Sequence, residues 1–234
     1  MLTIENLHAW YGASHILQGV NLEVKPGELV CLVGRNGAGK TTTVKSVAGL
    51  IPKIRGSVRF EGKELVGAPA HVRFEMGLAY VPEERRIVPG LTVRENIQLG
   101  LLRSPLHGRE KEVIDEIAET FPRLKERLDQ QAVTMSGGEQ QMLAIARAAA
   151  SRPKCIMLDE PSEGIMPVLV DEMFRYFETL KRAGVTILLI EQNVELALRI
   201  ADRAYILDQG EIVFNGGAQE MLADEAMQER YCSV

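Results

Sequence analysis

The chain has 234 residues, 46% of them hydrophobic and 25% charged, which excludes disorder as its main state and allows one large core or a core with a small subdomain. A formal charge of -5 gives no general electrostatic drive towards nucleic acid or anionic lipid, so no nucleic-acid partner is expected. Met1–Leu7 has no basic stretch leading into an apolar one, and no run approaches the ~18 apolar residues of a membrane span, so a cytoplasmic protein that meets a membrane only through a partner is expected.

Val20, Leu22 and Val24 alternate with Asn21, Glu23 and Lys25, the period of a strand with one wet face. Leu29-Val30-Cys31-Leu32-Val33 is a short continuous apolar run, the pattern of a strand covered on both faces. Val58-Arg59-Phe60-Glu61 alternates again. From about Thr92 to Ala150 strand signals stop, while Val113, Ile117 and Phe121 mark one amphipathic helix and Gln140 to Ala150 a second. Buried-strand runs return at Cys155–Leu158 and Thr186–Ile190. Leu169, Val170, Met173, Phe174, Phe177 and Leu180 recur at helical spacing between them, and Val194, Ala197, Leu198 and Ala201 do so after them. Ala204–Leu207 and Ile212–Phe214 flank Asp208-Gln209-Gly210-Glu211, a hairpin turn in which Gly210 accepts positive φ. Alternating strands and helices predict an α/β layer fold with a central, mostly parallel sheet and an inserted helical segment. Cys31 and Cys155 in apolar runs, and Cys232 near the end, lack the close paired spacing of a zinc or redox site and read as buried thiols.

Gly34-Arg35-Asn36-Gly37-Ala38-Gly39-Lys40-Thr41 follows one buried strand and opens a helical stretch, the setting in which G-x-x-x-x-G-K-T is a phosphate loop. Its backbone N–H groups and the helix N-terminus would cradle ATP phosphates, Lys40 would reach the β- and γ-phosphates and Thr41 would ligate Mg²⁺. Asp159 and Glu160, at the tip of the Cys155–Leu158 strand, supply a second metal anchor and a base to polarise an attacking water. The plainer alternative is a pair of solvated carboxylates capping the next helix, which Pro161 and Ser162 would also suit. Ser136 and Glu139 fit a capping box, yet that motif does not require Gly137 and Gly138 between its ends. Those glycines leave the helix N-terminus open to an anion.

A phosphate loop, then Ser-Gly-Gly-Glu-Gln-Gln, then a strand ending Asp-Glu-Pro-Ser resembles the ATP-binding cassette (ABC) family across essentially the whole chain. The resemblance implies one domain, 1–234: a phosphate-loop NTPase core (1–91 and 151–234) with a mostly parallel sheet, an antiparallel β-subdomain and an inserted helical subdomain (92–150). It implies ATP hydrolysis in a head-to-tail pair, with Ser136, Gly137, Gly138 and Glu139 of one subunit meeting the nucleotide held by Gly34, Arg35, Asn36, Gly37, Ala38, Gly39, Lys40, Thr41 and Thr42 of the other. Tyr11 matches the family's adenine-stacking aromatic, the plainer reading being a strand-end core residue. Glu83 stands where the family usually places a glutamine that contacts Mg²⁺ and water, and Gln192 stands where it usually places a histidine. A carboxylate binds metal more strongly than an amide but cannot donate unless protonated, and Gln192 has no charge to gain. Hydrolysis that depends on Glu160 and lacks a histidine-type pH step is expected.

Val81–Ile87, Phe121–Leu124, Met135–Ile145 and Glu191–Asn193 are similar to the ATPases of branched-chain amino acid importers, and the likeness runs from Leu2 to Tyr231. Glu163–Pro167 also resembles the sister ATPases of urea and short-amide importers. The implied partners are a second ATPase subunit, equal or different, membrane permeases and, indirectly, an extracytoplasmic solute-binding protein. Arg85 and Arg86 read as solvated surface or as a contact to a permease or phosphate. Two other classes weigh against this reading: a non-transport ATPase acting on nucleic acid or ribosomes, which would carry long insertions and basic surfaces, and a nucleotide sensor without hydrolysis, which Glu160 opposes.

Overall fold

A computed structural model describes residues 1–104 and 106–232, without the side chain of Cys232. Strands β1 (Leu2–Tyr11) and β2 (Ser14–Val24) form an antiparallel hairpin whose tip pairs Tyr11 with Ser14. The strand β3 (Leu29–Val33) is the predicted apolar run, and α1 (Lys40–Ala48) follows the glycine-rich loop. β4 (Lys53–Phe60) returns to pair with β1, and β5 (Lys63–Glu64) edges this sheet, ordered β2-β1-β4-β5. Its inner face carries Leu2, Ile4, Leu7, Val20, Leu22, Val24, Val58 and Phe60, all buried. β1 does not alternate throughout because Asn6, at φ 48, breaks its register between Ile4 and Leu7.

After α2 (Ala70–Glu75), the short strand β6 (Leu78–Val81) leads into the helices α3 (Val93–Leu99), α4 (Glu110–Thr120), α5 (Pro122–Lys125) and α6 (Gly137–Ala150). Then β7 (Cys155–Asp159), α7 (Pro167–Arg182), β8 (Thr186–Ile190), α8 (Val194–Ile200) and β9 (Arg203–Asp208) alternate as expected. β10 (Glu211–Gly217) closes a hairpin with β9, and α9 (Ala218–Ala223) and α10 (Glu225–Cys232) follow. Gln209 and Gly210 both have positive φ, 47 and 86, as a two-residue hairpin turn with right-handed twist requires. The second sheet runs β10-β9-β3-β8-β7-β6, parallel except for β10.

The continuous apolar strands are explained by two cores, one on each face of this sheet. Val30, Leu32, Leu188, Ile190 and Met157 pack with α1 and the antiparallel sheet. Leu29, Cys31, Val33, Ile156, Leu158, Ile187 and Leu189 pack with Phe177 of α7 and with Ile97, Ile114, Leu143 and Ile145 from the helical segment. Helices α3 to α6 thus share the core of the sheet. Cys31 and Cys155 are fully buried, as read from the apolar runs.

Arg73 of α2 ties the first half together. It is buried, and its guanidinium donates to the carbonyls of Ser46 and Val47 at the C-terminus of α1 (2.9 and 2.6 Å) and to those of Leu65 (2.6 Å) and Ala68 (3.0 Å). It thus supplies a donor to the Val47 carbonyl at the helix end and a second one to that of Ser46, which already accepts from Gly49 N–H at 3.1 Å.

Candidate functional site

The loop between β3 and α1 sits where the parallel strands end. Gly39, the residue before α1, has φ 110; no side chain caps the helix and no acidic residue occupies its first turn. The first N–H groups of α1 therefore stay available to an anion. Lys40 is buried; its Nζ donates to Gly34 O at 2.9 Å and Arg35 O at 3.3 Å and stands 3.3 Å from Glu160 Oε1. A Cβ on Gly39 would lie 2.7 Å from Leu17 Cδ2, so the first hairpin rests directly on the loop. Tyr11, at the tip of that hairpin, is 48% exposed, which fits a ring kept free for stacking and argues against the core reading.

The carboxylates at the end of β7 are not solvated caps. Asp159 is fully buried and Glu160 nearly so, and α7 begins only at Pro167 with Met166 as its cap. Asp159 Oδ1 accepts from the Thr41 hydroxyl and Oδ2 from the Tyr80 hydroxyl, each at 2.9 Å. Burial pushes the Asp159 carboxyl up, as does the charge of Glu160, and the two hydrogen bonds oppose the rise. Burial and Asp159 hold the Tyr80 phenol well above its ordinary value, so it remains a donor.

Glu160 adopts φ 45, uncommon for a residue with a Cβ, and its N–H donates to Ile190 O at 2.9 Å. Gln192 Nε2 donates to Asn36 Oδ1 at 2.6 Å and to Glu160 Oε2 at 3.3 Å, joining the phosphate loop to that carboxylate. Carboxylate oxygens of Glu83, Glu160 and Glu163 lie within 4.8 Å of one another. Burial, then Glu83 and Glu160, push the Glu163 carboxyl up. Glu191 is buried and accepts from Ser162 N–H at 3.0 Å and Ser162 Oγ–H at 2.8 Å; burial pushes its carboxyl up to about 7 against those bonds.

Tyr80, Ser162, Glu163 and Glu191 complete this cluster, and none was singled out as a site residue by sequence. One available signal was a glutamate closing the otherwise apolar run Thr186–Ile190, since a charge at the tip of a buried strand needs a partner.

The second half of the predicted site lies at the start of α6. Ser136 and Glu139 do form the capping box of α6: Glu139 Oε2 accepts from Ser136 N–H at 2.9 Å, and Ser136 Oγ accepts from Glu139 N–H at 3.4 Å. Glu139 also pairs with Arg127 at 3.3 Å. The two glycines have close intrachain neighbours that spacing did not reveal. A Cβ on Gly137 would lie 2.5 Å from a guanidinium nitrogen of Arg85, and one on Gly138 would lie 2.5 Å from Leu169 Cδ1. Arg85 is thus packed against α6 rather than simply solvated, whereas Arg86 is exposed and its carbonyl accepts from Arg147 at 2.8 Å. A groove of about 690 Å³ lies between α5, α6 and α7, and of the predicted site residues Glu139 lines it.

A buried lysine in a glycine loop, an uncapped helix start and a hydroxyl-carboxylate pair at the end of a parallel sheet define a phosphate-loop nucleotide-binding protein. The chain belongs to the ABC transporter family, whose model matches residues 17–163. It is 44% identical over 231 residues to the high-affinity branched-chain amino acid transport ATP-binding protein BraG of Pseudomonas aeruginosa, covering 99% of both chains. The lipopolysaccharide export system ATP-binding protein LptB of Escherichia coli is 36% identical, with 98% of this chain and 96% of that protein covered. Among solved structures, the ADP conformation of MJ1267, an ATP-binding cassette of an ABC transporter, superposes with a TM-score of 0.82 at 28% identity, covering 98% of this chain and 97% of that one. The chain is accordingly an ATP-binding and ATP-hydrolysing cassette of α/β fold.

Proposed function

We propose that this cassette energises an importer of branched-chain amino acids, held at the cytoplasmic face of the membrane by permease subunits and paired there with a second cassette. The observation that carries the solute class is the 44% identity with BraG across 99% of both chains. Export of a lipopolysaccharide is the competing reading, from LptB at 36%. Import of urea or a short amide is a third, resting on Glu163–Pro167. The solute itself would be gripped by an extracytoplasmic binding protein and the permeases.

In this reading Lys40 leaves Glu160 and the loop carbonyls for the β- and γ-phosphates, while the loop 34–39 and the first N–H groups of α1, through Thr42, close on them. The Thr41 hydroxyl, Asp159 and Glu83 are hard oxygen donors of the kind Mg²⁺ prefers, and the first two already converge at 2.9 Å. Mg²⁺ would neutralise charge on the β- and γ-phosphate oxygens. Tyr80 orients Asp159. Glu160 accepts a proton from the attacking water, Gln192 donates to the γ-phosphate and Tyr11 stacks on adenine. Ser136, Gly137, Gly138 and Glu139 of the partner close the site, so that ATP forms part of the interface. Residues 92–150 act as the coupling unit between the core, 1–91 and 151–234, and the permease. The groove of about 290 Å³ between β6, α3 and α6, lined by Val81, Pro82, Leu99 and Arg147, adjoins Glu83 and suits that contact.

Uptake in cells lacking this chain decides the solute class. Loss of leucine, isoleucine and valine uptake, restored by the wild type but not by Glu160→Gln, is expected. Loss of urea uptake or of outer-surface lipopolysaccharide instead would transfer the assignment to those readings.

A further inference from the structure

Two imidazoles face each other on the outer surface of the antiparallel sheet, opposite the face that buries Leu7 and Ala9. His8 Nδ1 lies 3.1 Å from His15 Nε2, and His8 Nε2 lies 3.2 Å from Asn6 Oδ1. An amide oxygen only accepts, so it fixes the proton of His8 on Nε2 and leaves a lone pair on Nδ1. This is the outer-shell arrangement that metal-ligating histidines usually have.

The surroundings are built for that arrangement. Asn6 sits at φ 48 in the register break of β1, a bulge that re-aims its side chain beside His8. Opposite stands Gly19, where a Cβ would be 3.0 Å from Asn6 Oδ1 and 3.7 Å from the His8 ring. Trp10 stacks on His15 with ring centroids 4.6 Å apart and planes at 11°, and Lys53 Nζ lies 5.0 Å from the centre of the Trp10 ring.

We propose that His8 Nδ1 and His15 Nε2 chelate a divalent first-row transition-metal ion, Cu²⁺ most tightly. His15 Nε2–H donates to the His8 Nδ1 lone pair across the 3.1 Å contact. Because His15 is exposed, its proton can shift to Nδ1 and its ring turn until the Nε2 lone pair converges with that of His8 on the ion. Once the His15 ring turns, two nitrogens kept about 3 Å apart at nitrogen-metal distances of about 2.0 Å subtend about 100° at the ion, between square-planar and tetrahedral. Waters complete the coordination. Bound metal ties β1 to β2 close to the tip that presents Tyr11.

The chain carries a reporter for this site, because Trp10 is its single tryptophan. The full chain, stripped of metal and kept free of ATP, is titrated with CuCl₂ while Trp10 fluorescence is followed, and the complex is examined by electron paramagnetic resonance. Saturable quenching at one equivalent with nitrogen superhyperfine structure from two imidazoles is expected. His8→Gln or His15→Gln should each raise the half-saturating Cu²⁺ concentration by more than about tenfold, and Asn6→Ala by about tenfold. Circular dichroism and ATP binding of these surface variants verify folding. Quenching that is not saturable, that persists unchanged in His8→Gln/His15→Gln, or that comes with oxygen ligands alone overturns the proposal.

Discussion

Lys40 Nζ stands 3.3 Å from Glu160 Oε1, and both side chains are almost entirely covered. In the proposed mechanism this pair joins the group that grips the γ-phosphate to the group that takes a proton from water. Glu160→Gln removes the base while leaving a side chain of the same shape. Steady-state phosphate release should fall by at least about 100-fold with ATP binding retained. ATP should then hold two cassettes together, visible as a larger species in gel filtration. Lys40→Ala should instead abolish nucleotide binding. A Glu160→Gln chain that hydrolyses at the wild-type rate would remove Glu160 from the mechanism.

Tyr80 acts through Asp159. Its hydroxyl donates at 2.9 Å to the oxygen that Thr41 does not use, so Tyr80→Phe deletes one hydrogen bond to a buried carboxylate. A net loss on the order of 1 kcal/mol should raise the Mg²⁺ concentration for half-maximal nucleotide binding about fivefold, read with a fluorescent ATP analogue. The maximal rate at saturating Mg²⁺ should change less.

Glu191 gives the fold a pH dependence. Its carboxyl is raised from 4.5 to about 7 in the native chain, so the unfolded chain releases this proton first as pH rises. Between about pH 4.5 and 7 the native state holds more protons, and stability falls with rising pH by at most about 1.4 kcal/mol per unit from this group. Urea unfolding across that range should show a shallower slope in Glu191→Gln. Hydrolysis should carry no imidazole step from position 192; any step near pH 7 should vanish in Glu191→Gln, while Gln192→His should introduce one near the histidine value of ~6.5.

Arg73 is a structural test. Arg73→Ala removes the side-chain donor to the carbonyls of Ser46, Val47, Leu65 and Ala68, of which Ser46 and Leu65 keep a backbone donor, and should destabilise the chain by on the order of 3 kcal/mol in urea. Lysine should not rescue it, because one ammonium cannot reproduce the planar fork of donors.

The sequence alone determined the parts whose signals are local. Apolar runs at Leu29–Val33, Cys155–Leu158 and Thr186–Ile190 became parallel strands because burial on both faces admits a polar side chain only with a partner, as for Thr186, which accepts from Gly27 N–H. The phosphate loop was legible because its turn chemistry and the helix after it are fixed by neighbouring residues. Tertiary structure decided what depends on residues far apart in the chain. Tyr80 meets Asp159 only because β6 and β7 are neighbours, and Glu191 meets Ser162 only because β7 and β8 are. Gly137 and Gly138 show the same division: their small size was plain in the sequence, but the side chains that fill the space beside them, from Arg85 and Leu169, came together through long-range packing.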